Sequence, residues 1–284
     1  MNRPTVVLLA AVAMTVTGRA TATVDTAPAE VTRKVYISAT DSKGMPITDL
    51  TAAEITVKEG GKERTVASLQ PAAGPMHIAI LVDDAGTGAF QAAVFQFVQK
   101  VHGRGQFSIS MLSPQALKLV DFTEDVERLK DALGRLGPRG RLQPDGDQLP
   151  EAISDAAKEL QLRKAERPVI LAMTIAGGLL HSVEPNNVLK TVRSSGSALN
   201  VVYISGADLG QVLGDGPRES GGRIEEAGTG QAISPALVRI ADSLLNQYAL
   251  TYTLPDGVKM SDRLAVATSR KGVKLTSPSR ISDK

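Results

Sequence analysis

Three short runs of almost unbroken apolar residues constrain the fold of this 284-residue chain more than any other feature: His77–Val82 (HIAILV), Val169–Thr174 (VILAMT) and Leu199–Ile204 (LNVVYI). A strand with one face in water alternates apolar and polar side chains. A strand that does not alternate is covered on both faces, as in parallel sheets sandwiched between helices. The segments between these runs carry the matching helical period. Phe90, Val94, Phe97, Val98 and Val101 recur at helical spacing. Thr123 reads as an N-cap, with Glu124 and Asp125 in the first turn of a helix running to Leu136. Further helices are expected from Leu149 to Leu162, around Val188–Arg193, and after Ser234-Pro235, an N-cap followed by Pro at the first helical position. Phe107–Leu112 and Leu117–Phe122 lie close enough in sequence to pair as antiparallel neighbours. The alternation predicts an α/β fold over residues 76–247: a doubly wound, mostly parallel sheet with helices on both faces. Residues 205–230 hold eight glycines and few apolar side chains. They are expected to form a long loop, interrupted at most by a short strand at 222–225.

The flanks have a different period. Val35, Ile37 and Ala39 alternate with polar neighbours, Ile55 and Val57 do the same, and Thr65–Leu69 follows the turn Glu59-Gly60-Gly61-Lys62. Residues 31–70 thus predict a small β module, too short to be stable by itself. Three strand-like pieces close the chain within residues 248–284: Tyr248–Leu254, Leu264–Ser269 and Val273–Thr276, with no helix between them. Their return to pair with the N-terminal module would remedy its small size.

Residues 1–22 begin with Arg3, continue through an 11-residue apolar run from Val6 to Val16, and end in Ala20-Thr21-Ala22. This is the layout of a secretory signal peptide with an A-x-A cleavage site, followed by a small polar leader at 23–30. The apolar run is too short for a membrane span, which needs roughly 20 residues, and no later segment qualifies as a transmembrane segment. The chain has no Cys, so a lipid-anchored lipoprotein and a disulfide scaffold are both excluded. Export, periplasmic or secreted, is the expectation. Lys and Arg total 32 against 30 Asp and Glu; without Arg3 and Arg19 the balance is even. A neutral chain lacks the electrostatic footprint of a nucleic-acid binder.

The join between the first buried strand and its helix reads Val82-Asp83-Asp84-Ala85-Gly86-Thr87. An Asp ending that strand, with a hydroxyl residue four positions on, resembles the D-x-S-x-S motif of von Willebrand factor A domains. The segments Val35–Glu59 and Leu245–Lys274 look like the flanks of the bacterial secreted "VWFA-related domain" family, so the resemblance covers nearly all of the mature chain. It implies a metal-ion-dependent adhesion site at the top of the sheet, where a bound cation completes its coordination with an acidic residue of a partner protein. The family site takes an Asp, two Ser or Thr from the first motif, a Thr opening a later helix, and an Asp after the fourth strand. Here Asp83 matches the first Asp and Thr87 the second hydroxyl. Ala85 replaces the first Ser, Asp147 stands in place of the Thr, and Ile175 in place of the second Asp.

Ala and Ile supply no oxygen, whereas Mg²⁺ wants near-octahedral oxygen coordination. The site is therefore expected to be degenerate. A weak, transposed Mg²⁺ or Mn²⁺ site would use Asp83, Thr87 and Asp147, preserving two carboxylates. The alternative is a vestigial site in which Asp83 caps the helix beginning near Phe90 or binds a backbone amide. Gly86-Thr-Gly88 lacks the third glycine of a dinucleotide loop, and His77, His102 and His181 have no zinc spacing. No G-x-S-x-G elbow, thiol or acid pair marks a catalytic centre, so an enzyme is not expected and no cofactor beyond the weak metal is implied. The expected function is adhesion or scaffolding: binding another protein through the upper rim, formed by residues 83–88, 139–148, 175–182 and 205–216, with Asp84, Gly86 and His181 among the contacts. Two other readings remain: a structural subunit of an envelope-associated assembly that docks through its β module, and a hydrolase with an unrecognised site.

Overall fold

A computed structural model describes residues 30–140, 148–175 and 183–282. In chain order these form β1 (Val31–Thr40), β2 (Ile55–Glu59), β3 (Lys62–Pro71), β4 (Met76–Asp83), α1 (Gln91–Val101), β5 (Gly105–Met111), β6 (Leu117–Thr123), α2 (Val126–Gly134) and α3 (Gln148–Leu162). These are followed by β7 (Arg167–Thr174), α4 (Pro185–Ser195), β8 (Ala198–Ile204), α5 (Gly210–Ser220), β9 (Ile224–Ala227), α6 (Ile233–Leu245), β10 (Tyr248–Leu254), β11 (Leu264–Thr268) and β12 (Lys274–Thr276). None of the described helices is long and apolar enough to cross a membrane.

The first six-stranded sheet runs β6-β5-β4-β7-β8-β9. It is parallel except for the edge strand β6, which pairs antiparallel with β5. The apolar runs occupy its centre, and every residue of β7 is buried. One face carries Ile78, Ile80 and Val82 of β4 against α1, α2 and α6. The other carries Ala79 and Leu81 against α3 and the helices of the second half. From β4 the chain moves outward to β5 and β6, then crosses to β7 on the other side of β4 and continues to β9. The strand order therefore reverses between β4 and β7, and in open α/β sheets the crevice outside the carboxyl ends of such a pair is where ligands bind.

The second sheet is antiparallel, in the order β11-β2-β3-β10-β1-β12. Strand β10 lies between β3 and β1, in register with β1 from Val31↔Leu254 to Ile37↔Tyr248. The two ends of the chain thus build one sheet, with Ile37, Val57, Leu250 and Tyr252 fully buried in its core. Glu59 is buried there too, accepting hydrogen bonds from the Tyr252 hydroxyl (2.7 Å), the Ser261 amide (2.9 Å) and Arg33 (3.3 Å).

Arg167, the first residue of β7, fastens the two sheets together. The residue is 4% exposed. It donates to the carbonyls of Gly74 (3.0 Å) and Ala72 (3.5 Å) in the connection from β3 to β4. It also donates to the Leu244 carbonyl (2.8 Å) and Gln247 Oε1 (3.0 Å), where α6 turns into β10, and it lies over the Tyr36 ring of β1. Both chain crossings between the sheets are held by one side chain.

Three local expectations are corrected. Residues 205–230 are not one loop: α5 spans Gly210–Ser220 and buries Val212 and Leu213, with β9 following. Gly216 is there for close approach, since a Cβ on it would meet Leu199 Cδ2 at 2.7 Å. The cap of α2 is Asp125, whose carboxylate accepts from the amides of Glu127 and Arg128; Thr123 ends β6 and its hydroxyl accepts from the Asp125 amide. Helix α6 begins at Ile233 after a 3₁₀ turn, Gly230–Ala232, so Ser234 and Pro235 lie within its first turn and do not cap it.

Glu54, in a 3₁₀ turn before β2, closes a capping box with Thr51 and takes Arg270 on both oxygens, at 2.6 and 2.8 Å. The Arg270 guanidinium, with help from Thr51, pulls its carboxyl down to about 2. A carboxyl depressed on folding stabilises the fold above its unfolded value near 4.5 and loses that contribution as pH falls toward 2. NMR titration is expected to give Glu54 a midpoint near 2, rising part of the way toward the ordinary carboxylate range in Arg270→Gln, where the Thr51 hydrogen bonds remain.

Candidate functional site

At the carboxyl end of β4 the chain turns through Asp84-Ala85-Gly86-Thr87-Gly88 into α1. The turn is built around the Asp84 carboxylate, which is fully buried. Its Oδ1 accepts from the Gly86 amide at 2.9 Å and its Oδ2 from the Gly88 amide at 2.7 Å. Its carbonyl accepts from the amide (3.0 Å) and hydroxyl (2.8 Å) of Thr87. Ala85, Gly86 and Gly88 take φ of 48°, 74° and 73°. The left-handed region costs glycine little but strains an alanine. Gly88 is also required for space, because a Cβ there would lie 2.8 Å from Pro138. Pro138 and Arg139 follow α2 and pack against the turn.

Arg139 supplies the countercharge. Its Nη2 reaches Asp84 Oδ1 at 3.0 Å, its amide donates to the Gly86 carbonyl at 2.8 Å, and its Nη1 reaches the Arg135 carbonyl at 3.1 Å and Met111 Sδ at 2.9 Å. A buried carboxylate is tolerated only when paired and hydrogen-bonded. Asp84 is both.

Asp83 points the other way. It is 1% exposed; Oδ1 accepts from the Ser113 hydroxyl just beyond β5 (2.8 Å) and Oδ2 from the Thr174 hydroxyl at the end of β7 (3.2 Å). Parallel register places Asp83 opposite Thr174, so the carboxylate bridges three adjacent strand ends. The carboxylate that accepts from the amides of Gly86 and Gly88 is that of its neighbour, Asp84.

The described residues do not fit a divalent cation. Both oxygens of Asp83 accept from hydroxyls, and the exposed Thr87 turns its own hydroxyl back to a carbonyl. Ala85 and Ile175 offer no oxygen, and the resident positive charge beside Asp84 is a guanidinium. Among the described residues no group of three or more His, Cys, Asp or Glu comes together. Asp147 and His181 lie outside the described residues. His77 is at the amino end of β4 against Phe122, held below its ordinary value by burial and by Arg163. His102 ends α1, with Nε2 3.4 Å from the Glu124 carbonyl. Ser113, Thr174 and Arg139 are the site residues that the motif did not single out. Two had a signal: Thr174, as the last residue of a buried parallel run, had to fall level with Asp83, and Arg139 begins a segment expected on the rim.

A doubly wound sheet reversing at β4 and β7, with an aspartate-bearing turn at that crevice, is a von Willebrand factor A-type fold. Its solved likenesses include proximal thread matrix protein 1 from the mussel byssus (TM-score 0.50, 12% identity, 66% of this chain and 50% of that one). They also include a von Willebrand factor type A protein from Catenulispora acidiphila (TM-score 0.48, 9% identity, 89% and 73%) and BatB from Bacteroides thetaiotaomicron (TM-score 0.42, 14% identity, 60% and 100%). This chain spans about half the length of the mussel protein. At such identities the likeness is one of fold. No protein-family model matches the chain, and no curated protein matches it.

Proposed function

We propose that this chain is an exported, non-enzymatic module that binds another protein through the rim at the carboxyl ends of β4 and β7, without a metal ion. The N-terminal layout of residues 1–22 supports export. The observation that carries the binding reading is the turn 84–88. Backbone strain persists only where its surroundings over-determine it, and it concentrates at ligand-contacting sites. Here a buried charge pair and two amide bonds hold a left-handed alanine, and the turn presents Thr87 and Ala89 to solvent at the crevice where such sheets take ligands. A positive charge already built in beside Asp84 makes an added cation unnecessary for holding this turn.

Photo-crosslinking from Thr87 and Ala89 in the native envelope tests the reading. One discrete partner is expected, unchanged by EDTA, with no crosslink from the exposed Lys62 at the β2–β3 hairpin of the antiparallel sheet. Thr87→Arg combined with Ala89→Arg is expected to abolish the crosslink seen from a neighbouring rim position while leaving the melting temperature within about 2 °C, since exposed substitutions alter stability little. Crosslinks from Lys62 and none from the rim would establish the β module as the docking surface.

A further inference from the structure

A second concave site lies at the opposite end of the parallel strands. A cleft of about 440 Å³ opens between the sheets, walled by the first half of β1, the start of β7, the α4–β8 turn and the segment around Arg280. Arg167 here and Thr174 at the rim are the two ends of the 8-residue β7, roughly 23 Å apart at about 3.3 Å per step. The two sites are therefore independent.

The lining is unusually cationic. Arg33, Lys34, Arg167, Arg193 and Arg280 line it, with Glu166 as the one acidic lining residue among the described residues. Lys34 pairs with Glu166 and Arg33 with Glu59. Arg193 and Arg280 share a single oxygen, Oδ2 of Asp262, at 3.0 and 2.5 Å. Among the described residues no carboxylate pairs with Arg167; its partners are carbonyl and amide oxygens. Among the described residues five cations thus meet three carboxylates. The carboxyl ends of α4, α5 and α6 also reach this region, each contributing roughly half a negative charge, which offsets most of the excess but leaves the cleft positive.

Geometry sharpens the point. The Nε atoms of both Arg167 and Arg193 are buried and have no acceptor among the described residues. A buried donor left without an acceptor is costly. Asp262 takes Arg193 through Nη1, which leaves Nη2 of this quarter-exposed side chain as a charged donor toward the cleft, of the kind that carboxylates and phosphates accept from. Ser195 and Ser197, their hydroxyls 2.7 Å apart, stand on the same wall.

We propose that this cleft binds a small oxyanion, the carboxylate or phosphate group of a low-molecular-weight ligand, with Nη2 of Arg193 as its principal contact. A volume of this size is that of a small-molecule site, and a concave positive surface with low-dielectric walls concentrates anions.

Calorimetric titration of the full chain with inorganic phosphate, and separately with succinate, at constant ionic strength tests it. Saturable one-to-one binding of at least one is expected, and the tighter of the two identifies the ligand chemistry. Arg193→Gln is expected to weaken it about tenfold or more, and Thr87→Arg at the rim to leave it unchanged. Should Arg193→Gln melt early, Lys34→Gln, an exposed lining position, is expected to weaken binding in the same direction. The amides of Ser195–Ser197 should shift in NMR spectra on adding the anion. Absence of saturable binding at millimolar anion, or shifts confined to other regions, would overturn the proposal without touching the rim reading.

Discussion

Replacing Arg167 by Met is expected to lower the unfolding free energy by about 3–5 kcal/mol, the cost of orphaning the acceptors it binds. Four oxygens from two different connections, those of Ala72, Gly74, Leu244 and Gln247, would lose their donor at once, and leaving a buried acceptor unmade costs about 1–3 kcal/mol each before relaxation. The methionine relieves part of the burden of burying a charge, which keeps the total below the sum. In a chain of this size the loss is a melting shift on the order of 10 °C. Arg163→Met is the matched control. Arg163 pairs with Asp121 and Glu159 on the surface, and exposed pairs contribute at most about 1 kcal/mol. Urea denaturation of both variants measures the difference. Equal, small shifts would mean that the crossings between the sheets hold themselves.

The second large effect is expected at Asp84. Asp84→Ala strips two amides and the Arg139 guanidinium of their acceptor inside a fully buried turn, and the expected loss is about 3–5 kcal/mol. Asp84→Asn keeps one acceptor oxygen and is expected to lose less, about 1–3 kcal/mol. Thr87→Ala, which removes an exposed hydroxyl bonded to a backbone carbonyl, is expected to cost under about 1 kcal/mol. This order, with Asp84 far above Thr87, follows from a turn held by an internal charge pair. Thermal and urea unfolding of the three variants establishes it.

The parallel sheet was legible because its signal is redundant. Unbroken apolar runs cannot be half-exposed strands, and the helical periods between them leave no other layer arrangement. The closing of the second sheet by the chain's last strands was equally legible, since β10 alternates along its whole length and a forty-residue module needed partners. Helix α5 was hidden by its composition. Gly210, Gly214 and Gly216 read as loop, but the helix forms because Val212 and Leu213 are buried by tertiary packing, a force that local propensity does not contain. The caps failed for a related reason. Thr123 and Asp125 are both good N-caps, and which one begins the helix depends on where β6 stops pairing with β5.

The site was half legible. Spacing located the turn and the importance of its aspartates, but resemblance directed attention to Asp83 and Thr87 as ligands when the carboxylate that organises the turn is Asp84. The partner that decides the chemistry, Arg139, is 55 residues away. Its place at the start of the expected rim segment 139–148 put it near the turn, but nothing in the sequence paired it with Asp84. Only the packing of Pro138 against Gly88 brings it there.

The most direct test of a rim held by an internal guanidinium is titration of the purified protein with Mn²⁺, read as free ion by electron paramagnetic resonance. The expected result is that all added Mn²⁺ remains free up to millimolar concentration, with the same rim crosslink in EDTA as in Mn²⁺. One equivalent of bound Mn²⁺ that disappears in Asp83→Asn would contradict it and return the site to metal-dependent adhesion.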